Sequence, residues 1–256
     1  PSTPSSAASD VYKRQGDRVL DVGCGFGDTA IKLAGLVGPK GDVVGIDCCD
    51  AFLDYARNDA EERSIANISF QRGDAEIALP VNEYDFVFAR FGTMFFTNPV
   101  AAMRNMRLAL KPGGTMVHIV WRDRVDNPWL STAKEVVLKF LPPPGEDAQT
   151  CGPGPFSMAN EEMVRGMMRA AGYEEIEFRR VDAQVLVGND VQDAIDFQLA
   201  LGPAGEVFRE AGEEGENKRA EIESALSEAI NAQRQSAEGI VMDSSSWVIS
   251  AINPVR

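Results

Sequence analysis

Short apolar runs recur along the first half of the chain, each closed by glycine or a polar residue. Val19-Leu20-Asp21-Val22, Val43-Val44-Gly45-Ile46-Asp47, Ile68-Ser69-Phe70-Gln71-Arg72, Tyr84-Asp85-Phe86-Val87-Phe88-Ala89-Arg90 and Met116-Val117-His118-Ile119-Val120-Trp121 are such runs. Their length and their β-branched and aromatic content predict strands, with helices between them. Strand alternating with helix from Arg18 to Trp121 predicts a parallel sheet covered on both faces. The helix near Pro99–Leu110 is punctuated at both ends: Asn98 can cap, Pro99 suits the first turn, and Lys111-Pro112-Gly113-Gly114 stops it. Val100, Met103, Met106 and Leu110 then share one face, toward the sheet.

After Trp121 the pattern changes. Asn127-Pro128-Trp129 opens a helix to about Phe140, and two Pro/Gly-rich clusters, Leu141-Pro142-Pro143-Pro144-Gly145 and Gly152-Pro153-Gly154-Pro155-Phe156, frame an irregular stretch. Residues 124–160 therefore read as a lid or substrate loop, since long irregular stretches in compact domains are often functional. A helix near Asn160–Ala171, a strand around Glu175–Val187, two or three helices within Val191–Gln235 and a last strand, Ser246–Ile252, complete the chain. The segment 191–235 is a helical insert and a candidate cap. There is no internal repeat.

The first strand carries the chemistry. Asp21 stands inside it, and Gly23-Cys24-Gly25-Phe26-Gly27 turns the chain into the next helix. Glycine in such a turn tolerates positive φ and lets backbone approach a ligand, which is how a nucleotide is seated on an α/β sheet. Asp47 ends the second strand about 20 residues on, where a carboxylate can accept two hydrogen bonds from a ribose diol. Gly73-Asp74-Ala75 ends the third. A plain strand-to-helix turn and solvated loop acids would read the same way one at a time. Jointly, three polar strand ends on one sheet edge point to a cofactor site.

With Leu108-Ala109-Leu110-Lys111-Pro112-Gly113-Gly114-Thr115 leading into the fifth strand, these residues resemble class I S-adenosylmethionine-dependent methyltransferases, over roughly Val19 to Trp121. The resemblance is to the small-molecule branch, similar to quinone C-methyltransferases. It implies a Rossmann-like, doubly wound, seven-stranded sheet, mostly parallel, completed by a C-terminal antiparallel hairpin. It implies S-adenosylmethionine as cofactor. Asp21, Gly23, Gly25 and Gly27 would face its methionine and ribose portions, Asp47 with Cys48 beside it the ribose, and Asp74 with Ala75 the adenine edge. Arg90, at the end of the fourth strand, joins this cofactor-binding set. Cys48-Cys49 departs from the serine or threonine that often follows the acid, which leaves the polar contact of that loop open.

Two other classes compete. Gly25-Phe26-Gly27-Asp28-Thr29-Ala30 satisfies the G-x-G-x-x-G/A spacing of a NAD(P)-dependent oxidoreductase. Against it, Asp21 would repel a pyrophosphate, whereas S-adenosylmethionine brings a sulfonium and an ammonium. The second is a catalytically silent module that binds the cofactor without turnover.

Composition bounds the rest. Ser5–Gln15 matches, codon by codon, the translation of a sequencing-library transposase adapter, so residues 1–15 are expected to be an artefact or a disordered tail with the native N-terminus lost. The remaining ~240 residues fit a single methyltransferase domain, 16–256, with 16–123 as its cofactor-binding half. Net charge is −14, and the eight glutamates between Glu206 and Glu228 read as a solvated helical face or, alternatively, a docking surface for a basic partner. The basic patches that nucleic acid requires are missing. The one histidine and four cysteines, Cys24, Cys48, Cys49 and Cys151, contain no C-x-x-C pair, which argues against a metal site and for a reducing, cytoplasmic setting. No apolar run reaches the ~18 residues of a transmembrane helix.

The acceptor is bounded rather than identified. Arg90-Phe91-Gly92-Thr93-Met94-Phe95-Phe96 lacks the [DN]-P-P-[YF] signature of amide and base N-methylation, and its Phe91, Met94, Phe95 and Phe96 suggest either an apolar wall beside the methyl group or plain core. A small, partly hydrophobic acceptor fits. Methyl transfer needs no obligatory base, and none is assigned. His118, mid-strand, reads as a core histidine, while Tyr173, Asp123 and Arg90 have no confirming spacing.

Overall fold

The structure, a computed structural model, describes residues 15–145 and 152–255. The expected adapter-derived stretch lies outside the described residues apart from Gln15, as does Cys151, and the irregular stretch after Leu141 is described only at its ends. Within the first half, β1 (Arg18–Val22), β2 (Asp42–Asp47), β3 (Ile68–Arg72), β4 (Tyr84–Arg90) and β5 (Leu110–Trp121) are separated by α1 (Asp28–Val37), α2 (Asp50–Glu62) and, before β5, α3 (Pro99–Ala109). There follow α4 (Pro128–Val137), α5 (Glu161–Ala171), β6 (Glu174–Gly188), α6 (Val191–Ala200), α7 (Gly202–Glu210), α8 (Glu213–Asn217), α9 (Arg219–Asn231), β7 (Arg234–Ser236) and β8 (Gly239–Ile252).

Seven strands form one sheet in the order β3-β2-β1-β4-β5-β8-β6, and short β7 pairs with β8 as an eighth. The strands from β3 to β5 pair in parallel, and β8 runs antiparallel to β5 from Trp121↔Ser246 to Thr115↔Ile252. This is the expected Rossmann-like architecture. By density of contacts the chain forms two compact units, one within Pro1–Trp121, Gly152–Val181 and Ser246–Arg256, the other within Arg122–Cys151 and Asp182–Ser245. Strands β6 and β8 run from one unit into the other. The second unit gathers most of the segments read as lid and insert.

In the first unit, Val19, Phe86, Phe88, Val117 and Ile119 from the sheet pack with Ala30, Leu33, Leu53 and Ala56 of α1 and α2 in one buried cluster. Met103 and Met106 of α3 are fully buried as the periodicity predicts, and the Asn98 side chain caps the helix by accepting from Ala101 N–H. Two details differ from the sequence reading. Val100 is only half-buried, with Ala102 and Ala109 taking places on the inner face. Leu110 is already extended and pairs with Tyr84, so the helix stops one residue early. Lys111–Gly114 is then a bulge within β5. Gly114 is obligatory in it because a Cβ there would lie 2.9 Å from the Lys111 carbonyl oxygen. Asn253 clamps the bulge, its Nδ2 donating to the Leu110 and Lys111 carbonyls.

The second unit has its own core, in which Val136, Val137, Ile195, Phe208, Ile222 and Leu226 are buried together. The insert holds four helices rather than two or three: Gly202 and Gly212, both at positive φ, mark two of the breaks and Lys218 the third. The last strand begins at Gly239 rather than Ser246, paired there by β7. The glutamate-rich face is solvated, with Lys218 and Arg219 bridging to Glu214, Glu216 and Glu223.

Asn127 ties this unit's entry to its exit. Its buried Nδ2 donates to the carbonyls of Arg122, Asp123 and Ser245, and its Oδ1 accepts from Ser245 N–H. Alanine would leave several buried groups unpartnered, at about 1–3 kcal/mol each when fully orphaned. Asn127→Ala should therefore lower stability by about 3 kcal/mol, roughly 5–10 °C in melting temperature. A calorimetric melt within 1 °C of the parent would show that the four bonds are replaced by water without cost.

Candidate functional site

Asp21, Asp47, Asp74 and Arg90 stand at or just beyond the carboxyl ends of four adjacent strands, in the spatial order β3-β2-β1-β4. The strand order reverses between β1 and β4, which opens a crevice at the carboxyl edge of a sheet of this kind. The glycine turn after β1 folds across the end of β2, with Gly23 N–H and Cys24 N–H both donating to the Ile46 carbonyl.

The three glycines have three different reasons, although all take positive φ of 68°, 54° and 82°. A Cβ on Gly23 would lie 3.3 Å from Gly92 Cα, so this position lets the ends of β1 and β4 approach. A Cβ on Gly27 would lie 2.8 Å from both Ala56 Cβ and the Phe70 ring. That glycine seats α1 against α2 and β3. A Cβ on Gly25 would meet nothing within 4 Å, so it alone of the three borders open space.

Asp47 is pinned from both sides. Its Oδ2 accepts from Gly25 N–H at 2.9 Å and its Oδ1 from Cys49 N–H at 3.0 Å. Cys48, next to it, is exposed, and Cys49 precedes α2 without capping it through its side chain. Asp74 is exposed and its Oδ1 accepts from Glu76 N–H, while Ala75 is buried and its carbonyl accepts from Asn105 Nδ2 at 2.8 Å. The Glu76 carboxylate in turn accepts from Asn98 N–H, tying this loop to the start of α3.

Asp21 is the electrostatic centre. It is 1 % exposed, and its Oδ2 is buried with no hydrogen-bond partner. Burial pushes its pKa up to about 7; the Arg90 guanidinium opposes the shift, and the Asp28 and Asp47 carboxylates add to it. Arg90 reaches over to the first turn of α1, Nε donating to Thr29 Oγ1 at 2.8 Å and Nη2 to Asp28 Oδ2 at 2.6 Å. Cys24 is buried beside them, and burial holds its thiol far above the ordinary range, an inert packing group.

Beyond Arg90 the chain makes a strained turn. Phe91 adopts φ +59°, a left-handed conformation that costs a bulky residue about 1–2 kcal/mol. Its N–H donates to the Ile119 carbonyl, and its ring stacks on Trp121 with centroids 3.8 Å apart and planes 10° from parallel. The turn delivers Gly92 onto Gly23. Of the four residues read as a wall or as core, Met94 is core, 1 % exposed with its sulfur accepting from Trp121 N–H. Phe91, Phe95 and Phe96 are half-buried.

His118 and Tyr173, two of the side chains weighed as a base, are both buried. His118 is fully buried, with Nδ1 3.2 Å from Thr93 Oγ1, and burial pulls its pKa down to about 3, so it is a neutral core residue. Tyr173 is buried with its hydroxyl unpartnered and its pKa raised by burial. Asp123 is exposed. Among the described residues no group of three or more His, Cys, Asp and Glu could hold a metal.

Sequence reasoning missed Asp28 and Thr29 as the partners of Arg90, and Trp121 as the partner of Phe91. It also missed an exposed aromatic cluster at the turn, where the Phe26 ring lies 4.5 Å from that of Phe52 and 5.3 Å from that of Tyr55. The only signal for that cluster was an aromatic residue inside a glycine turn.

Comparisons with known proteins agree with this geometry. A methyltransferase-domain family model matches residues 13–138. A ubiquinone/menaquinone biosynthesis C-methyltransferase of Pseudomonas putida is 33% identical over 183 residues, 68% of this chain and 71% of that protein. Its counterpart in a Shewanella species is 32% identical over 174 residues, 64% of this chain and 69% of that protein. Among solved structures, a putative methyltransferase of Bacillus halodurans superposes with a TM-score of 0.64 at 17% identity, covering 98% of this chain and 99% of that one. A SAM-dependent methyltransferase of Aquifex aeolicus does so with a TM-score of 0.52 at 24% identity, covering 70% and 82%. Sheet order and edge chemistry define a Rossmann-like nucleotide-cofactor enzyme. The chain belongs to the class I S-adenosylmethionine-dependent methyltransferases, and the oxidoreductase alternative falls away. The orphaned Asp21 carboxylate and the open approach at Gly25 suit a cofactor that brings positive charge and no phosphate.

The burial of Asp21 sets a pH dependence. Its pKa is raised on folding, from an ordinary 3.8 to about 7, so folding favours the protonated acid. Stability from this group is complete below pH 4, falls as pH rises toward 7, and stays lost above, by about 4 kcal/mol in all. Urea unfolding of ligand-free protein at pH 5 and pH 8 should show Asp21→Asn gaining on the parent by several kcal/mol at the higher pH. Parallel pH profiles would mean that Asp21 is solvated.

Proposed function

We propose that this enzyme methylates a small, partly hydrophobic acceptor held against the half-buried Phe91, Phe95 and Phe96 at the end of β4. The observation that carries this reading is the strained Phe91 turn, which stacks an aromatic ring on Trp121 and packs Gly92 on Gly23 of the cofactor turn. The part that the similar C-methyltransferases play in ubiquinone and menaquinone biosynthesis supports an acceptor of this character. Net charge of −14 disfavours nucleic acid. Cysteine usage favours a cytoplasmic setting.

In this reading Asp47 takes the ribose hydroxyls and Asp74 with Ala75 borders the adenine. Cys48 lies beside the ribose, Asp21 faces the cationic methionine end, and Arg90 completes the set. Gly25 admits the cofactor to the turn, Gly23 brings β4 against its edge, and Gly27 acts by packing. Residues 124–160 serve as a lid and 191–235 as a cap of one methyltransferase domain.

The bound cofactor supplies a methyl group on a sulfonium, with a thioether as leaving group. The protein's share is orientation and exclusion of water, and holding nucleophile and methyl carbon at near-attack distance can supply up to ~7–11 kcal/mol without a dedicated base. His118 is too deeply buried to touch an acceptor.

S-adenosylhomocysteine at ~100 times its dissociation constant should raise the melting temperature by roughly 5–10 °C, and NAD or NADP should not. Asp47→Ala should weaken that ligand by about 10–150-fold, the loss of charge-assisted bonds worth ~1.5–3 kcal/mol. Unchanged affinity by calorimetry would remove Asp47 from the site. Release of S-adenosylhomocysteine with a panel of phenols, quinols and amines tests the acceptor. Turnover confined to amines would sink the apolar-acceptor reading, and binding without any turnover would favour the silent module.

A further inference from the structure

Cys48 and Cys49 follow Asp47 directly, and a vicinal pair of thiols has chemistry that neither thiol has alone. Of the three cysteines described, Cys24 is buried, Cys48 is exposed and Cys49 is half-buried, so a water-borne reagent reaches the pair and not the first. Cys49 N–H donates to Asp47 Oδ1 at 3.0 Å, and the Cys49 carbonyl accepts from Leu53 N–H in the first turn of α2. Asp47 in turn holds Gly25 N–H through Oδ2. The peptide joining Cys48 to Cys49 therefore carries a bond on which the position of the Asp47 carboxylate depends.

A disulfide between neighbours closes a small covalent ring that includes this same peptide. Cys49 is extended, at φ −99° and ψ 109°, and side chains alternate sides along extended backbone, as the unequal exposure of the pair reflects. Bridging needs both Cβ atoms on one side, about 3.5–4.5 Å apart, so the backbone must move. That movement turns the Cys49 N–H away from Asp47. We propose that Cys48 and Cys49 form a reversible oxidation site, at which hydrogen peroxide closes a vicinal disulfide that unseats Asp47 and weakens cofactor binding. This rests on the reading that Asp47 takes the ribose hydroxyls. First, the Cys48 sulfur attacks the peroxide, the O–O bond breaks, and a sulfenic acid and one water form. The Cys49 sulfur then displaces the hydroxyl from Cys48, giving the disulfide and a second water, so two thiols are oxidised as one peroxide is reduced. A strained, exposed disulfide of this kind is readily reduced, which suits a switch that a reducing setting resets.

The test treats the full chain with hydrogen peroxide and then removes the oxidant. Intact mass with peptide mapping, far-ultraviolet circular dichroism and calorimetric affinity for S-adenosylhomocysteine are read before oxidation, after it, and after dithiothreitol. The oxidised parent should lose two hydrogens, with the link mapped between Cys48 and Cys49, and keep its dichroism. Its affinity should fall by about tenfold or more, the loss expected when a charge-assisted bond fails, and dithiothreitol should restore it. Cys49→Ser keeps the amide and removes the second thiol. It should stop at a sulfenic acid and bind within about twofold of the reduced parent before and after peroxide. Oxidation that leaves Cys48 and Cys49 unlinked would overturn the proposal, and so would a linked protein with unchanged affinity, results that need no variant to fold. Both leave the cofactor reading intact, whereas a reduced parent that does not bind S-adenosylhomocysteine would overturn that reading and this proposal with it.

Discussion

The reversal of strand order between β1 and β4 is the constraint on which the site depends. To the β3 side of that seam successive strands step one way, and to the β5 side they step the other, so the helices diverge and leave the carboxyl edge open. The seam works only because the two strand ends can touch. Gly23 and Gly92 face each other with no Cβ between them, and Phe91 takes a left-handed backbone to bring Gly92 into place. A Cβ on Gly23 would lie 3.3 Å from Gly92 Cα, so the two strand ends would have to give by a few tenths of an ångström. Strain at Phe91 is offset by its stack on Trp121 and its bond to Ile119, contacts made by β5.

On this seam the protein leaves one buried carboxylate oxygen without a partner, Oδ2 of Asp21. Asp21 is buried, partnerless at Oδ2, and near two other carboxylates, an arrangement that lowers the stability of the empty fold. The same features give a cationic ligand a large differential benefit, because it meets a carboxylate that water has already left. Stability and binding are therefore set against each other in one side chain. The core of methionines and aliphatic residues on α3 and the inner strands supplies the excess that makes such a site tolerable.

The second unit solves a different problem. Its helices bury an apolar cluster of their own and leave an acidic, ion-paired surface outside. The path of the chain into and out of it is fixed by one buried amide, Asn127, whose bonds reach both Arg122 and Ser245. An asparagine between Asp126 and Pro128 looks like a helix cap in sequence. One of its actual partners, Ser245, lies 118 residues away.

Local pattern was sufficient for much of the fold. The five parallel strands, the capped helix at Pro99, and the acids at 21, 47 and 74 were legible because each follows from periodicity, turn chemistry and strand ends, which are properties of neighbours in sequence. Boundaries were less so. Leu110 left its helix to pair with Tyr84, β8 began seven residues early, and the insert held four helices, each because a distant strand or a local break in the backbone decided it. The separate duties of Gly23, Gly25 and Gly27 were invisible, since one turn motif covers a strand approach, an open face and a helix contact alike. What the chain by itself determined was the class of fold and the sheet edge at which its acids gather. Only the tertiary structure decided that Arg90 would lie on Thr29 and Asp28 instead of on Asp21, because charge pairing between elements 60 residues apart is settled by packing distance and burial, which sequence does not contain.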